Sequence, residues 1–268
     1  SPGASVENSG RVLFSDAVSA SNILNAGTAV TFGGALNVES LLRSYGTNVS
    51  FTGAVTAEVV DNRNGEMAFG GPLTAASFYS ENGDLLFGGA VTVGAFTNWS
   101  GNLTFRDQVT ADRMYAAPGD MQVTFEAGTT NTIGTLEWYG HGGYPIALRS
   151  SSDGNPWRLK VTNSQSVREV DVKDSNADAG LTIYPVSSTG TGSNPNWVFD
   201  AAWQTWVGTN SAVFTDAANW LPATAPDAAR RLLIDGFYTN EPVLTGDAAA
   251  RQLLLGGVVP ATLSVNGR

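Results

Sequence analysis

The sequence predicts an all-β chain: a parallel β-helix solenoid with rungs of about 18 residues, followed by a small β-rich C-terminal domain. Three observations carry this. Phe14, Phe32, Phe51, Phe69, Phe87, Phe105 and Phe125 recur at steps of 18, 19, 18, 18, 18 and 20 residues. Steady self-similarity of that length is a solenoid signature. Apolar residues around each Phe alternate with polar ones at period 2, the periodicity of a strand. No stretch sustains the 3.6-residue period of an amphipathic helix.

The repeat has a fixed internal order. An apolar-x-Phe segment comes first, as in Val30-Thr31-Phe32 or Leu103-Thr104-Phe105. Two or three small or polar residues follow, then an apolar-x-small segment such as Leu73-Thr74-Ala75 or Val91-Thr92-Val93. About nine residues after Phe stands another large apolar residue: Ile23, Leu41, Val59 or Val60, Phe78, Phe96, Met114. A turn rich in Asn and Gly closes the unit, for example Asn62-Arg63-Asn64-Gly65 or Asn82-Gly83. Each repeat thus offers three very short strands joined by tight corners. The Phe residues are expected to stack as an aromatic ladder inside a rod, with Thr, Ser, Asn and Glu outside. Seven rungs at the ordinary strand spacing give a section on the order of 30 Å long. Gly33, Gly53, Gly70 and Gly88, just after Phe, are expected to supply backbone conformations closed to other residues. The left-handed solenoid shares the 18-residue rung but repeats aliphatics every six positions. Here the anchors fall unevenly, near 0, 4, 6 and 9 from Phe, which favours the right-handed form.

Three regions follow. Residues 1–140 are regular rungs. Residues 141–200 are irregular closing rungs, with strand patterns at Ile146–Leu148, Trp157–Val161, Val167–Val172, Leu181–Tyr184 and Trp197–Phe199, and loops at Ser150–Gly154 and Ser187–Asn196. Residues 201–268 change character, with Trp203, Trp206 and Trp220, Pro222 and Pro226, and strand patterns at Leu232–Ile234, Pro242–Leu244 and Gln252–Leu255. Short helical pieces are expected only near 216–219 and 227–230.

Composition narrows the function. The 268 residues are enough to bury a sizeable core. There is no Cys, so no disulfide staples the chain. Lys160 and Lys173 are the only lysines and the net charge is −10. Nucleic acid and anionic membrane surfaces are therefore poor partners. No apolar run reaches membrane-spanning length.

Two stretches resemble a known group. Val49-Ser50-Phe51-Thr52-Gly53-Ala54-Val55-Thr56 resembles the tandem repeats of very large bacterial surface proteins, the filamentous-haemagglutinin-like and autotransporter-passenger-like β-helix adhesins. Val170–Ala177, with Gly180, Ile183 and Asn196-Trp197-Val198-Phe199, is similar to the module that closes such arrays. Trp206-Val207-Gly208, Phe214–Trp220 and Pro226 are similar to the start of autotransporter-associated β-strand units. The resemblance implies an extracellular or cell-surface location and a secreted, non-enzymatic structural role as a self-associating filament, surface-layer or adhesin subunit. Copies of the chain are the expected partners, joined head to tail through residues 1–12 and the final strand segment, because a solenoid has two open ends. Surface glycans are the alternative partner, making the chain a carbohydrate-binding adhesin. A polysaccharide lyase or hydrolase is a third reading, since the β-helix also hosts such enzymes.

Candidate chemistry is sparse. Lyase and hydrolase sites need clustered carboxylates on one face. Glu39, Glu58 and Asp112 share one position, seven residues after Phe, but Ala76 and Gly94 interrupt the column; a solvated face is the expectation. Asp171, Asp174, Asn176 and Asp178 form an oxygen-rich set of the kind calcium uses, without the spacing of an EF-hand loop. A polar turn held by Asx hydrogen bonds is the competing account. No organic cofactor is expected, and calcium is the one ion with candidate ligands. His141 is the single histidine, expected in a loop. Trp197, Trp203, Trp206 and Trp220 offer either a sugar-stacking platform or the filling of a small β core, the latter being favoured. Asn48-Val49-Ser50, Asn98-Trp99-Ser100 and Asn102-Leu103-Thr104 fit the N-glycosylation sequon and are expected at exposed corners.

Overall fold

A computed structural model describes residues 5–265 except 47, 118–119, 142, 200–202, 228–229, 251, 257–259 and the Trp203 side chain. The chain divides into two units, Ser1–Phe199 and Asp200–Arg268.

The first unit is a β-solenoid made of two ten-stranded sheets whose neighbours are all parallel. The chain visits the sheets in turn, one strand in each per rung. One sheet holds the short apolar-x-Phe strands, from Arg11–Phe14 to Thr189–Thr191. The other holds longer strands, from Ser5–Asn8 to Ser175–Asn176. The seven phenylalanines pair Cα to Cα from rung to rung. Their rings stack, for example Phe51 on Phe69 at 4.7 Å and Phe69 on Phe87 at 5.2 Å. Trp157 continues the column beyond Phe125 at 4.3 Å. A second stack, Phe78 on Phe96 at 4.8 Å, meets the first edge to face, 5.6 Å from Phe87. Offset stacks along the rod and edge contacts across it are the two arrangements that ring quadrupoles favour.

The three expected strands per rung form two sheets, because one corner lies inside a strand. Leu73–Ser80 runs unbroken, yet its burial alternation changes phase at Ala76 and Ser77, which both face out. Pairing skips one residue there: Ala75 pairs with Val93 and Ser77 with Ala95. The ladder resumes beyond the bend, so one sheet serves two walls. The 19-residue rung places its extra residue at this bend, between Val38 and Leu41. As a result Leu42, rather than Leu41, points inward, while Val60, one of the two residues expected in the next rung, does so there; each is about 1% exposed or less.

A fifth inward position, at the end of each long strand, is polar. Asn8, Asn25, Ser44, Asn62, Ser80 and Asn98 are buried one above another. Asn8 Nδ2 donates to Asn25 Oδ1 (2.8 Å), Asn25 Nδ2 to Ser44 Oγ (3.1 Å) and Asn62 Nδ2 to Ser80 Oγ (3.2 Å). The same side chains tie down the following turn: the Gly27 N–H donates to Asn25 Oδ1, and Asn62 Nδ2 donates to the Gly65 carbonyl. Buried amides need such partners, because an unpaired one costs about 1–3 kcal/mol.

The glycines after Phe serve a different purpose from the one expected. Gly33, Gly53, Gly70 and Gly88 are not among the residues with positive φ. What matters is how close the rungs come. A Cβ on Gly71 would lie 2.6 Å from the carbonyl carbon of Gly53, and one on Gly53 would lie 2.6 Å from that of Gly34. Gly71→Ala should therefore destabilise the first unit by about 1–3 kcal/mol through overpacking. Urea denaturation measures this directly; an unchanged midpoint would show that the column can spread.

From residue 141 the same two sheets continue through Ile146–Ser150, Trp157–Arg168, Val170–Lys173 and Ser175–Asn176. Leu181–Tyr184 and Trp197–Phe199, expected as strands, form only isolated bridges, Ile183 with Trp197 among them. The expected loop at Ser187–Asn196 instead carries the strand Thr189–Thr191. Trp197, 7% exposed, belongs to the end of the solenoid core.

The second unit has its own small core of Trp206, Phe214, Trp220, Leu232 and Ile234. Trp203–Trp206, Arg231–Ile234 and Gln252–Leu255 are parallel neighbours, and Trp220–Leu221 runs antiparallel along the outer edge of the first. Val243–Leu244 pairs with Ser264–Val265 in a second parallel sheet. Leu232 pairs with Leu253 and Val243 with Ser264, an offset of 21 residues in both sheets. The unit thus repeats the two-sheet rung logic at a longer period. Residues 217–219 form one 3-10 turn capped by Asp216. Hydrogen bonds from Asn210 and the Ala218 N–H hold the Asp216 carboxyl below the ordinary carboxylate range. The second expected helical piece lies partly outside the described residues; Arg230 N–H bonding to the Asp227 carbonyl makes a turn there.

Candidate functional site

Outward residues on the phenylalanine strands stand in columns, because pairing is in register and side chains alternate. One position before each Phe, Thr31, Ser50, Ala68, Leu86 and Thr104 are direct neighbours. Three positions before Phe, Ala29 pairs with Asn48 and Asn48 with Glu66, and Asp84 and Asn102 continue the series. Together the two columns line a shallow groove of about 510 Å³, with Arg106 at one end. It crosses five strands, so it runs along the stacking direction for about 19 Å at the usual strand spacing.

The groove's polar groups are not equally free. Asp84 accepts the Asn102 N–H at Oδ1 (2.7 Å) and Asn102 Nδ2 at Oδ2 (3.4 Å). Asn102 Oδ1 accepts the Gln122 N–H (2.8 Å). Asn48 and Glu66 are exposed and make no side-chain hydrogen bond among the described residues. The strands beneath have paired neighbours on both sides, so their backbone groups are satisfied and only side chains are available to a ligand.

The tryptophans are placed differently. Trp206 and Trp220 are at most 1% exposed and pack edge to face at 5.2 Å. Trp206 Nε1 donates to the Asn240 carbonyl and Trp220 Nε1 to that of Phe214. Trp197 stacks with Phe199 and donates to Ser175 Oγ (2.9 Å). None of these three presents a bare ring face; the Trp203 side chain lies outside the described residues.

The oxygen-rich set is dispersed by its partners. Asp171 pairs with Arg149 and accepts from Thr189 Oγ1. Asp174 sits at φ +54°, is 4% exposed, and accepts the Gly154 N–H (2.9 Å). Asn176 Oδ1 accepts the Asp178 N–H (2.9 Å), an Asx turn. Among the described residues no three His, Asp or Glu side chains converge on a point that could hold a metal ion. Glu39, Glu58 and Asp112 lie exposed at the bend inside the long strands, where Ser21 Oγ donates to Glu39. His141 is exposed in a small bridge with Tyr144. Of the sequons, Asn98 is fully buried in the polar ladder, which corrects its expected exposure, whereas Asn48 and Asn102 are exposed on the groove's lip.

The sequence reading also passed over a cluster on the long sheet. Trp99, 39% exposed, lies 5.2 Å from Tyr115, which packs at 5.8 Å from Tyr139. Burial pushes both phenols above their ordinary range. No protein-family model, curated protein or solved structure matches the chain.

Proposed function

We propose that this chain is a secreted, non-enzymatic structural segment of a bacterial cell-surface protein that joins copies of itself head to tail. The observation that supports this most is that parallel strands stand at open sheet edges in both units. Among the described residues Ser5–Asn8 and Arg11–Phe14 have no outer neighbour at the edge of the first unit, and Leu13 is 70% exposed. In the second unit Gln252–Leu255 and Ser264–Val265 likewise have none among the described residues, and Leu255 and Val265 are 48% and 64% exposed. Unpaired edges are templates for further strands. The first edge takes a strand that precedes it in a stack and the second takes one that follows, so the two suit each other. Such a heterologous contact extends into open filaments. Acidic charge and Thr/Asn-rich rungs agree with an extracellular setting. No helix among the described residues is long and apolar enough to cross a membrane.

Sedimentation velocity over rising concentration is expected to show growing assemblies, and Leu255→Lys with Val265→Lys should abolish them. A strict monomer at high concentration would sink the self-association. Release of shorter oligosaccharides from a polysaccharide would sink the non-enzymatic reading. The groove on the phenylalanine sheet favours a second reading, a carbohydrate-binding adhesin.

A further inference from the structure

We infer that the groove on the phenylalanine sheet is a binding site for an extended, uncharged polysaccharide lying along the rod. This rests on the carbohydrate-binding reading and is independent of self-association. Three features of the groove select the ligand. Its long axis crosses five interior strands. Every one is paired on both sides, so a peptide cannot add there as another strand, the usual route by which a sheet captures an extended chain. Its lip presents amide and carboxylate groups, Asn48, Glu66, Asp84 and Asn102, one per rung. Hydroxyls of Ser50 and Thr104 stand beside them. Groups repeating at about 4.8 Å suit a polymer that offers a hydroxyl at every residue. Asn48 and Glu66 supply hydrogen-bonding capacity that no other described residue uses.

Charge excludes the alternatives. Its lining carries two carboxylates, Glu66 and Asp84, and a single cation, Arg106, at one end. In a chain of net charge −10 this repels uronate polymers, sulfated glycans and nucleic acids. The floor between the lips is small and apolar at Ala68 and Leu86, both partly covered, which suits the C–H face of a sugar ring better than an ionic group. The free Glu66 carboxylate accepts from sugar hydroxyls, and Asn48 both donates and accepts.

Affinity electrophoresis of the whole chain in gels carrying neutral polymers (a mixed-linkage glucan, a xylan, a galactomannan) or acidic ones (polygalacturonate, alginate) tests this. At least one neutral polymer should retard the protein and neither acidic one should. Ala68→Arg fills the floor, and Asn48→Ala with Glu66→Ala strips the free lip; each should weaken binding by about tenfold or more. Thr74→Arg, on an exposed position of the other sheet, should leave binding unchanged. Circular dichroism of each variant confirms that the solenoid is intact. Neutral-polymer binding that survives both groove variants overturns the site while leaving carbohydrate binding standing. Retardation by acidic polymers alone overturns the ligand class. No retardation by any polymer overturns the site and the carbohydrate-binding reading together.

Discussion

Phe69→Ala should lower the unfolding free energy of the first unit by about 3–5 kcal/mol, and Phe14→Ala by clearly less. Phe69 is 1% exposed and touches aromatic rings on three sides: Phe51 at 4.7 Å, Phe87 at 5.2 Å and Phe78 edge-on at 6.0 Å. Removing it leaves a cavity that neighbours fixed by parallel pairing on both sides are unable to close. Phe14 is only partly buried and has one ring partner, Phe32 at 4.9 Å. Its loss opens a shallow notch that water fills. Equilibrium urea denaturation of the two variants, compared at equal m-value, separates them. Equal losses would mean that the stack does not transmit its support along the rod.

Trp220→Ala should unfold the second unit and spare the first. Among the described residues the small core there has five buried members, of which Trp220 is among the largest. Its ring meets Phe214 at 5.1 Å and Trp206 at 5.2 Å, and its Nε1 holds the Phe214 carbonyl at 2.7 Å. The substitution removes about 3–5 kcal/mol of packing and leaves a buried carbonyl without its donor. That is most of what a unit of this size has to lose. Limited proteolysis should then cut within 203–265 while the stretch up to 199 survives, and far-UV circular dichroism should fall only in part. A single cooperative loss of both units would contradict this independence.

The fold was largely legible because solenoid chemistry repeats. Phe14 to Phe125 announced the rungs, and from Phe14 to Phe105 offsets of 0, 4, 6 and 9 marked four inward positions that are buried, apart from the partly exposed residues of the first rung and the 19-residue rung, where Leu42 takes the place of Leu41. Three things were hidden, each for a local reason. Asn25, Ser44 and Asn62 carry the same residue types as turns, so a buried polar ladder looked like loop composition. The bend at Ala76 and Ser77 breaks the alternation without breaking the pairing, which sequence shows as two strands. Contacts between Gly53 and Gly71 belong to different rungs, and no local window contains both. The candidate site was harder still. Asn48, Glu66, Asp84 and Asn102 are ordinary surface residues one at a time and become a lip only once the register is known. Tryptophan is ambiguous in sequence, since the same ring fills a core or receives a sugar, and Trp206 and Trp220 are buried in one cluster with Phe214 and Leu232.

The in-register pairing of one rung with the next makes length an adjustable property. Excising residues 70–87 would bring Phe69 directly onto Gly88-Gly89, replacing Gly70-Gly71 with the same pair. The Val55–Asn62 strand would then face Val91–Asn98, with Val, Thr and an aliphatic residue again opposed at the first three positions. The rod would shorten by one strand spacing, about 4.8 Å, with both sheets whole. Unequal recombination within such a gene therefore changes reach in uniform increments while leaving the grammar of every remaining joint intact. A spacer of this kind evolves by counting.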